Sequence, residues 1–422
     1  MMYNKTVLKN GIRIVSEKLD YFRSISLGIW VDVGSRNEME EENGISHFIE
    51  HMIFKGTHNR NSFQIAKELD AIGGMSNAFT GKESTCFYSK VLDKHFPKLA
   101  DILSDIFMNS LFDQEEMDRE MQVILQEINL VEDTPDEHIH GLFSSLFWMG
   151  HSLGMPILGT GKTVSAIKHK TILNYVKRFY TPGKIIIAAA GNIDHESMLN
   201  YFKPLFESLP PGDNNSRDTL PEINSAVSCN IKDLGQVHIC LGGGAAHQSS
   251  DKRFSCAVLN TILGGNMSSR LFQEIREKRG LAYSIYSFFS AYIDTGLLGI
   301  YVGTNASDVN KVLEVINTEI RKLQRGEISK SDMDIVRENL VGGIFLGSES
   351  PDARMMRLAR NEYVFGRNIS HKELAANIEK VTIDEVVAIA CDIFQSDKVS
   401  LTTLGPLKRE ALDLSCLQFA DA

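Results

Sequence analysis

Several features are missing from this sequence, and each absence removes a class of protein. No apolar run approaches the roughly 20 residues that a helix needs to cross a bilayer, so no membrane partner is expected. Lysine and arginine do not cluster, and 54 acidic residues against 44 basic ones give a formal net charge of −10, so nucleic acid is not an expected partner. The six cysteines (Cys86, Cys229, Cys240, Cys256, Cys391 and Cys416) form no Cys-x-x-Cys pair. They read as reduced, small apolar residues, not as a disulfide frame or a thiolate metal site. The N-terminal residues lack the basic-then-apolar order of an export signal and the Arg/Ser richness of an organelle leader. A bacterial cytoplasmic protein is therefore expected, with an organellar matrix form after leader removal as the alternative.

What is present is ordinary in bulk and unusual at one place. With 43% apolar and 23% charged residues the chain has a globular composition, and 422 residues suffice for two to four domains. The unusual stretch is Ile45-Ser46-His47-Phe48-Ile49-Glu50-His51-Met52-Ile53-Phe54. Read as a helix, Ile45, Phe48, Ile49, Met52 and Ile53 make one apolar stripe, and His47, Glu50 and His51 group on the opposite side. Two imidazoles four residues apart project from one face, one turn apart, and suit a shared Zn²⁺ ion with the carboxylate over its open position. His-x-x-Glu-His is the mirror order of the His-Glu-x-x-His zinc-peptidase helix. The competing reading is a solvated polar face on an amphipathic helix. A third ligand elsewhere in the chain decides between them.

Around this stretch, residues 6–17 and 23–33 have strand patterns, with a turn signal at Asn10-Gly11, and residues 36–43 read as a polar surface approach to the histidine helix. Residues 62–72 and 95–108 read as helices, and 76–80 and 84–88 as strands. Residues 113–130 form a long helix on which Glu120 and Glu127 stack two turns apart between two apolar sets, so it is expected to be buried nearly all round. A carboxylate there must be paired or bound to metal. Glu127 is the candidate third ligand with Glu120 beside it, and a salt bridge to a neighbouring Arg or Lys is the alternative for either. His138 and His140 beyond that helix read as surface residues.

The second half repeats the first. Met117-Asp118 and Pro135-Asp136 recur at Met333-Asp334 and Pro351-Asp352, both at an offset of 216, and the apolar strand 184–191 recurs at 398–405. This pattern predicts an α+β fold of two homologous domains, each a mixed β-sheet with helices on one face. The expected spans are a catalytic domain over 1–208, a Pro/Gly/Asn-rich linker over 209–224, and a non-catalytic domain over 225–422. At the same offset Glu120 meets Val336 and Glu127 meets Gly343, and the second half has no His-x-x-Glu-His. A fold that needed these carboxylates for packing should need them twice, so the asymmetry favours a site in the first copy.

The run Gly44-Ile45-Ser46-His47-Phe48-Ile49-Glu50-His51-Met52-Ile53-Phe54-Lys55-Gly56-Thr57, with Glu127 seventy-six positions after His51, resembles the pitrilysin family of zinc metallopeptidases, the inverzincins. The two-domain length is similar to its mitochondrial-processing-peptidase branch and bacterial relatives. The likeness extends to Ser76–Thr80, Leu263–Phe272 and Arg276–Tyr283. It implies a LuxS/MPP-like metallohydrolase architecture and one zinc ion per chain, held by His47, His51 and Glu127. Glu50 is then the general base and Glu120 the supporting carboxylate of the family's paired glutamates. Asn77, Ala78 and Phe79 would lie on an edge strand that pairs with an extended peptide, and Arg276 and Tyr283 would reach the substrate carbonyl. Two such chains usually enclose a chamber, where Arg276 and Tyr283 serve the partner's zinc. The short Leu241-Gly242-Gly243-Gly244 reads as a strand end, which favours a homodimer. The expected function is a zinc metalloendopeptidase acting on peptides or leader-like segments. The alternative is a non-catalytic assembly subunit, which would be expected to have lost motif residues.

Overall fold

Runs of β-branched and apolar residues build two mixed sheets. The computed structural model describes residues 2–210, 212 and 219–419; of the linker expected at 209–224, residue 211 and residues 213–218 lie outside the described residues. The first sheet contains β1 (Met2–Val7), β2 (Arg13–Lys18), β3 (Ser24–Val31), β4 (Met75–Thr80), β5 (Thr85–Leu92) and β6 (Ile185–Gly191), in the order β1-β2-β6-β3-β5-β4. The second contains β7 (Val227–Ile231), β8 (Val237–Gly244), β9 (Ala282–Ala291), β10 (Gly296–Thr304) and β11 (Val399–Gly405), in the order β7-β11-β8-β10-β9. β2 and β6 run parallel, as do β7 and β11, and the other neighbours are antiparallel. Strands β7, β11, β8, β10 and β9 thus take the places of β2, β6, β3, β5 and β4, and the repeat is one of topology as well as sequence. β4 and β9 are the equivalent free edges. The Leu241–Gly244 segment closes β8, as expected.

The chain divides into two compact units that are not contiguous in sequence. One holds the residues to Leu130, Met155–Thr219 and Gly347–Ile369; the other holds Val131–Gly154, Leu220–Leu346 and the residues from Ser370 onward. The continuous spans expected, 1–208 and 225–422, differ from this because each half lends one helix to the other's sheet. Ile185, Ile187 and Ala189 of β6 face a core built with helices Ile45–Ile53, Phe96–Asn109, Gln114–Glu132 and His195–Phe206. Ile186, Ala188 and Ala190 face the other way, onto Met355, Leu358 and Ala359 of helix Pro351–Phe365. Helix Pro135–Phe147 does the same for the second sheet, packing Ile139, Phe143 and Phe147 on Cys240, Leu297 and Leu404. These are the two Pro-Asp helices of the repeat. Both faces of each sheet are therefore covered, not one face as expected.

Helix Pro351–Phe365 is also fastened by charge. Arg354 Nη1 lies 2.6 Å from Glu17 Oε1, with both side chains buried, and Lys5 Nζ lies 2.6 Å from Glu362 Oε1. Removing either partner of a buried pair leaves an uncompensated charge, so this seam tolerates little substitution. On helix Pro135–Phe147, His140 is half-buried with Nε2 2.8 Å from the Tyr286 hydroxyl, not a surface residue. Among the described residues no helix is long and apolar enough to cross a membrane.

Candidate metal centre

The histidine helix begins where only glycine fits. Gly44 sits at φ +95°, and a Cβ there would come within 2.7 Å of Leu158 O. From that start Ile45, Phe48, Ile49, Met52 and Ile53 enter the core as the stripe requires. The other face is not solvated: His47 is only 7% exposed, and Glu50 and His51 are half-buried. A simple water-facing polar surface is thereby excluded for this helix.

Glu127 meets the two rings. Its Oε2 lies 3.6 Å from His47 Nε2 and 3.7 Å from His51 Nε2. Among the described residues, His47, His51 and Glu127 form a group whose candidate ligand atoms all lie within 4.8 Å of one another. Two imidazole nitrogens and one carboxylate oxygen are the donor set of a catalytic zinc site with an open fourth position. Glu120 completes the arrangement from one helical face. His51 Nδ1 donates to Glu120 Oε2 at 3.0 Å, and Lys55 Nζ lies 2.6 Å from Glu120 Oε1. A carboxylate accepts only, so His51 keeps its proton on Nδ1 and its Nε2 lone pair points at Glu127. Burial, with the charge of His51, pushes the His47 pKa down to about 4, so that ring is neutral near pH 7, the form that ligates. The residues present fit zinc.

The helix Gln114–Glu132 differs from the expectation in one respect. Glu120, Ile124 and Ile128 are buried, but Val123 and Leu130 are exposed and the Glu127 side chain is 39% exposed. The helix is buried along one side only. Glu120 does need its partners against desolvation, whereas the Glu127 side chain is partly open to water.

Glu50 points between the metal residues and the edge strand. Its Oε2 accepts a hydrogen bond from Thr80 Oγ1 at 2.6 Å. Burial raises the Glu50 pKa above the usual carboxylate range, and the Thr80 bond opposes that rise. Thr80 ends β4, so the edge strand is tied to this carboxylate directly. On β4, Asn77 is exposed, and its Oδ1 accepts from the Ala78 N–H at 2.9 Å. Ala78 packs toward the core and Phe79 toward the other sheet face, where its ring is 5.2 Å from that of Trp30. In the second unit, Tyr283 stands at the start of edge strand β9 and is 78% exposed. The Arg276 guanidinium lies between two rings, 4.5 Å from Tyr283 and 4.8 Å from Phe272. Glu83 pairs with Arg36 at 2.7 Å.

Nothing in the sequence marks Lys55 or Thr80, although Lys55 lies only four residues after His51. Glu38 falls within the segment expected at the surface and is buried.

The chain resembles known proteins along nearly its whole length. Residues 13–161 match the model described as insulinase (peptidase family M16), and residues 166–340 match the peptidase M16 inactive domain. The uncharacterized zinc protease YmxG of Bacillus subtilis is 38% identical over 96% of this chain and 98% of its own. The uncharacterized zinc protease SCO5738 of Streptomyces coelicolor is 38% identical over 96% of this chain and 90% of its own. A crystal structure of a protease from Helicobacter pylori superposes with a TM-score of 0.89 at 22% identity, over 96% of this chain and 99% of that one.

Proposed function

The chain belongs to peptidase family M16 and is a zinc metallopeptidase; from that premise we propose that it is an endopeptidase whose reaction is carried by His47, Glu50, His51, Glu120 and Glu127. The observation that carries this reading is the convergence of His47, His51 and Glu127 beside the Thr80-held Glu50. When bound, zinc supplies Lewis acidity that makes water a nucleophile near neutral pH and polarises the scissile carbonyl. His47, His51 and Glu127 would hold it. Glu50 takes the proton from the attacking water and delivers it to the leaving amine. Its raised pKa suits both transfers. Thr80 fixes the carboxylate in place, and Glu120 with Lys55 fixes the His51 ring.

The substrate is a peptide in extended form that adds to β4 as a further strand. Asn77 and Ala78 present the edge, and Phe79 anchors the strand through Trp30 while its backbone pairs. Backbone pairing makes few demands on sequence, which suits leader-like segments. Arg276 and Tyr283 reach the substrate carbonyl as hydrogen-bond donors. The exposure of Tyr283 and the aromatic cradle of Arg276 are consistent with service to a second copy of the chain in a homodimer around a chamber. A non-catalytic assembly role is disfavoured because every motif residue is present and the first-unit set converges.

Glu50→Gln is expected to bind one zinc ion per chain, as the unsubstituted chain does, and to cleave a quenched peptide at least a thousandfold more slowly. Comparable cleavage rates for the two purified proteins remove Glu50 from its role.

A further inference from the structure

The segment before the histidine helix does something its sequence conceals. Helix Ile45–Ile53 has Gly44 at its N-cap, which offers no side chain to its first amides. Glu38 supplies the acceptors from six residues upstream. Its Oε2 accepts from Gly44 N at 2.8 Å and Asn43 Nδ2 at 2.9 Å, and its Oε1 accepts from Ser46 N at 2.9 Å. The carboxyl group is buried, so these bonds are shielded from water.

The same place joins the other parts of the site. Ser35 N donates to Gly81 O at 3.1 Å, and Arg36 N donates to Lys82 O at 2.7 Å. The β4–β5 turn, which follows Thr80, is thus sewn to the segment that carries Glu38. The buried Lys82 ammonium donates to Met155 O, and its charge and that of Glu38 attract. Helix, edge strand and turn meet at one buried carboxyl group.

We propose that Glu38 is a positioning residue of the metal centre. Through the first-turn amides it fixes the height and rotation of the helix that carries His47 and Glu50. This inference rests on the zinc reading above. His47 is the third residue of the helix, so any loosening of the first turn moves its ring directly. Metal ligands tolerate displacements of only about 0.2 Å. A neutral amide at position 38 turns one of its two acceptor atoms into a donor that faces N–H groups, so the first turn loses part of its anchor.

The test uses the full chain loaded with zinc and a chromogenic chelator in excess, with zinc release followed in time. Glu38→Gln is expected to release zinc at least tenfold faster than the parent. It should lower kcat about tenfold with KM within twofold, while its circular dichroism stays native. Glu17→Gln serves as the control for general destabilisation, because it breaks the pair with Arg354 on the opposite sheet face. It is expected to release zinc at the parental rate. Asn43→Ala removes one of the donors to Glu38 and is expected to speed release about threefold, which keeps the question decidable if Glu38→Gln does not fold. The proposal is overturned if folded Glu38→Gln keeps the parental release rate, if Glu17→Gln releases zinc as fast as Glu38→Gln, or, where Glu38→Gln does not fold, if Asn43→Ala leaves release unchanged. A parent chain that binds no zinc fails the functional reading itself, a separate outcome.

Discussion

Replacing Lys55 with methionine isolates the electrostatic support of His51. Methionine keeps most of the unbranched stem, so packing is nearly conserved while the ammonium 2.6 Å from Glu120 Oε1 is lost. Glu120 has 8% side-chain exposure, so its carboxylate is left largely desolvated with His51 Nδ1 as its remaining close partner. Breaking a fully buried pair costs about 3–5 kcal/mol. Lys55 is 30% exposed, which dilutes the pair with solvent, so a loss of about 1–2 kcal/mol is the fair scale. Part of that loss falls on the metal, because a Glu120 carboxylate no longer held by Lys55 aims the His51 ring less well. With between half and all of it on the metal, at about 1.4 kcal/mol per tenfold, zinc affinity should fall roughly twofold to thirtyfold. Calorimetric titration of zinc into metal-free protein measures it, and Lys55→Arg should recover most of the loss. A dissociation constant for Lys55→Met within twofold of the parent refutes the relay, as does an equal loss for Lys55→Arg.

Other expectations follow from the same contacts. Thr80→Val removes the 2.6 Å bond to Glu50 and should cut kcat roughly tenfold with little change in KM; a selective rise in KM instead would assign Thr80 to substrate binding. Arg354→Met should lower the free energy of unfolding in urea by about 2 kcal/mol, since it leaves the buried Glu17 carboxylate only the longer pair with Arg357 at 3.8 Å, and a change under 1 kcal/mol contradicts that. Burial raises the Glu38 pKa from 4.5 to about 7. The folded state therefore holds the extra proton between those values, and this contribution is present at pH 4.5 and lost as pH rises to 7. On linkage grounds the metal-free parent should lose on the order of 3 kcal/mol more than Glu38→Gln across that window in urea titrations, and parallel pH profiles would be the contrary result.

What could be read from sequence divides along a physical line. The histidine helix was legible because its 3.6-residue period separates five apolar residues from His47, Glu50 and His51, and the duplicated Pro-Asp steps fixed the repeat. Glu127 is a candidate from its place between two apolar sets, and the missing counterpart at Gly343 and the resemblance support it. That helix is not buried all round, since Val123 and Leu130 stand in solvent, so burial does not single out Glu127. Periodicity says that a helix has an apolar face but not which sheet receives it, so the reciprocal loan of helices Pro135–Phe147 and Pro351–Phe365 could not be seen. Glu38 was hidden by its neighbours. Glu40 and Glu41 are indeed outside, and nothing local distinguishes a glutamate two residues before them that turns inward.

The borrowed helix also sets a timetable for synthesis. When β6 emerges from the ribosome, the strands of the first sheet are all available, yet the helix that covers Trp30, Ile186 and Ala190 begins roughly 160 residues later. At about 5–20 residues per second that is a wait on the order of ten to thirty seconds. During it, an oily sheet face lies bare on the nascent chain, an invitation to chaperones and a reason why the first half, made by itself, would be a poor vessel for its own metal site.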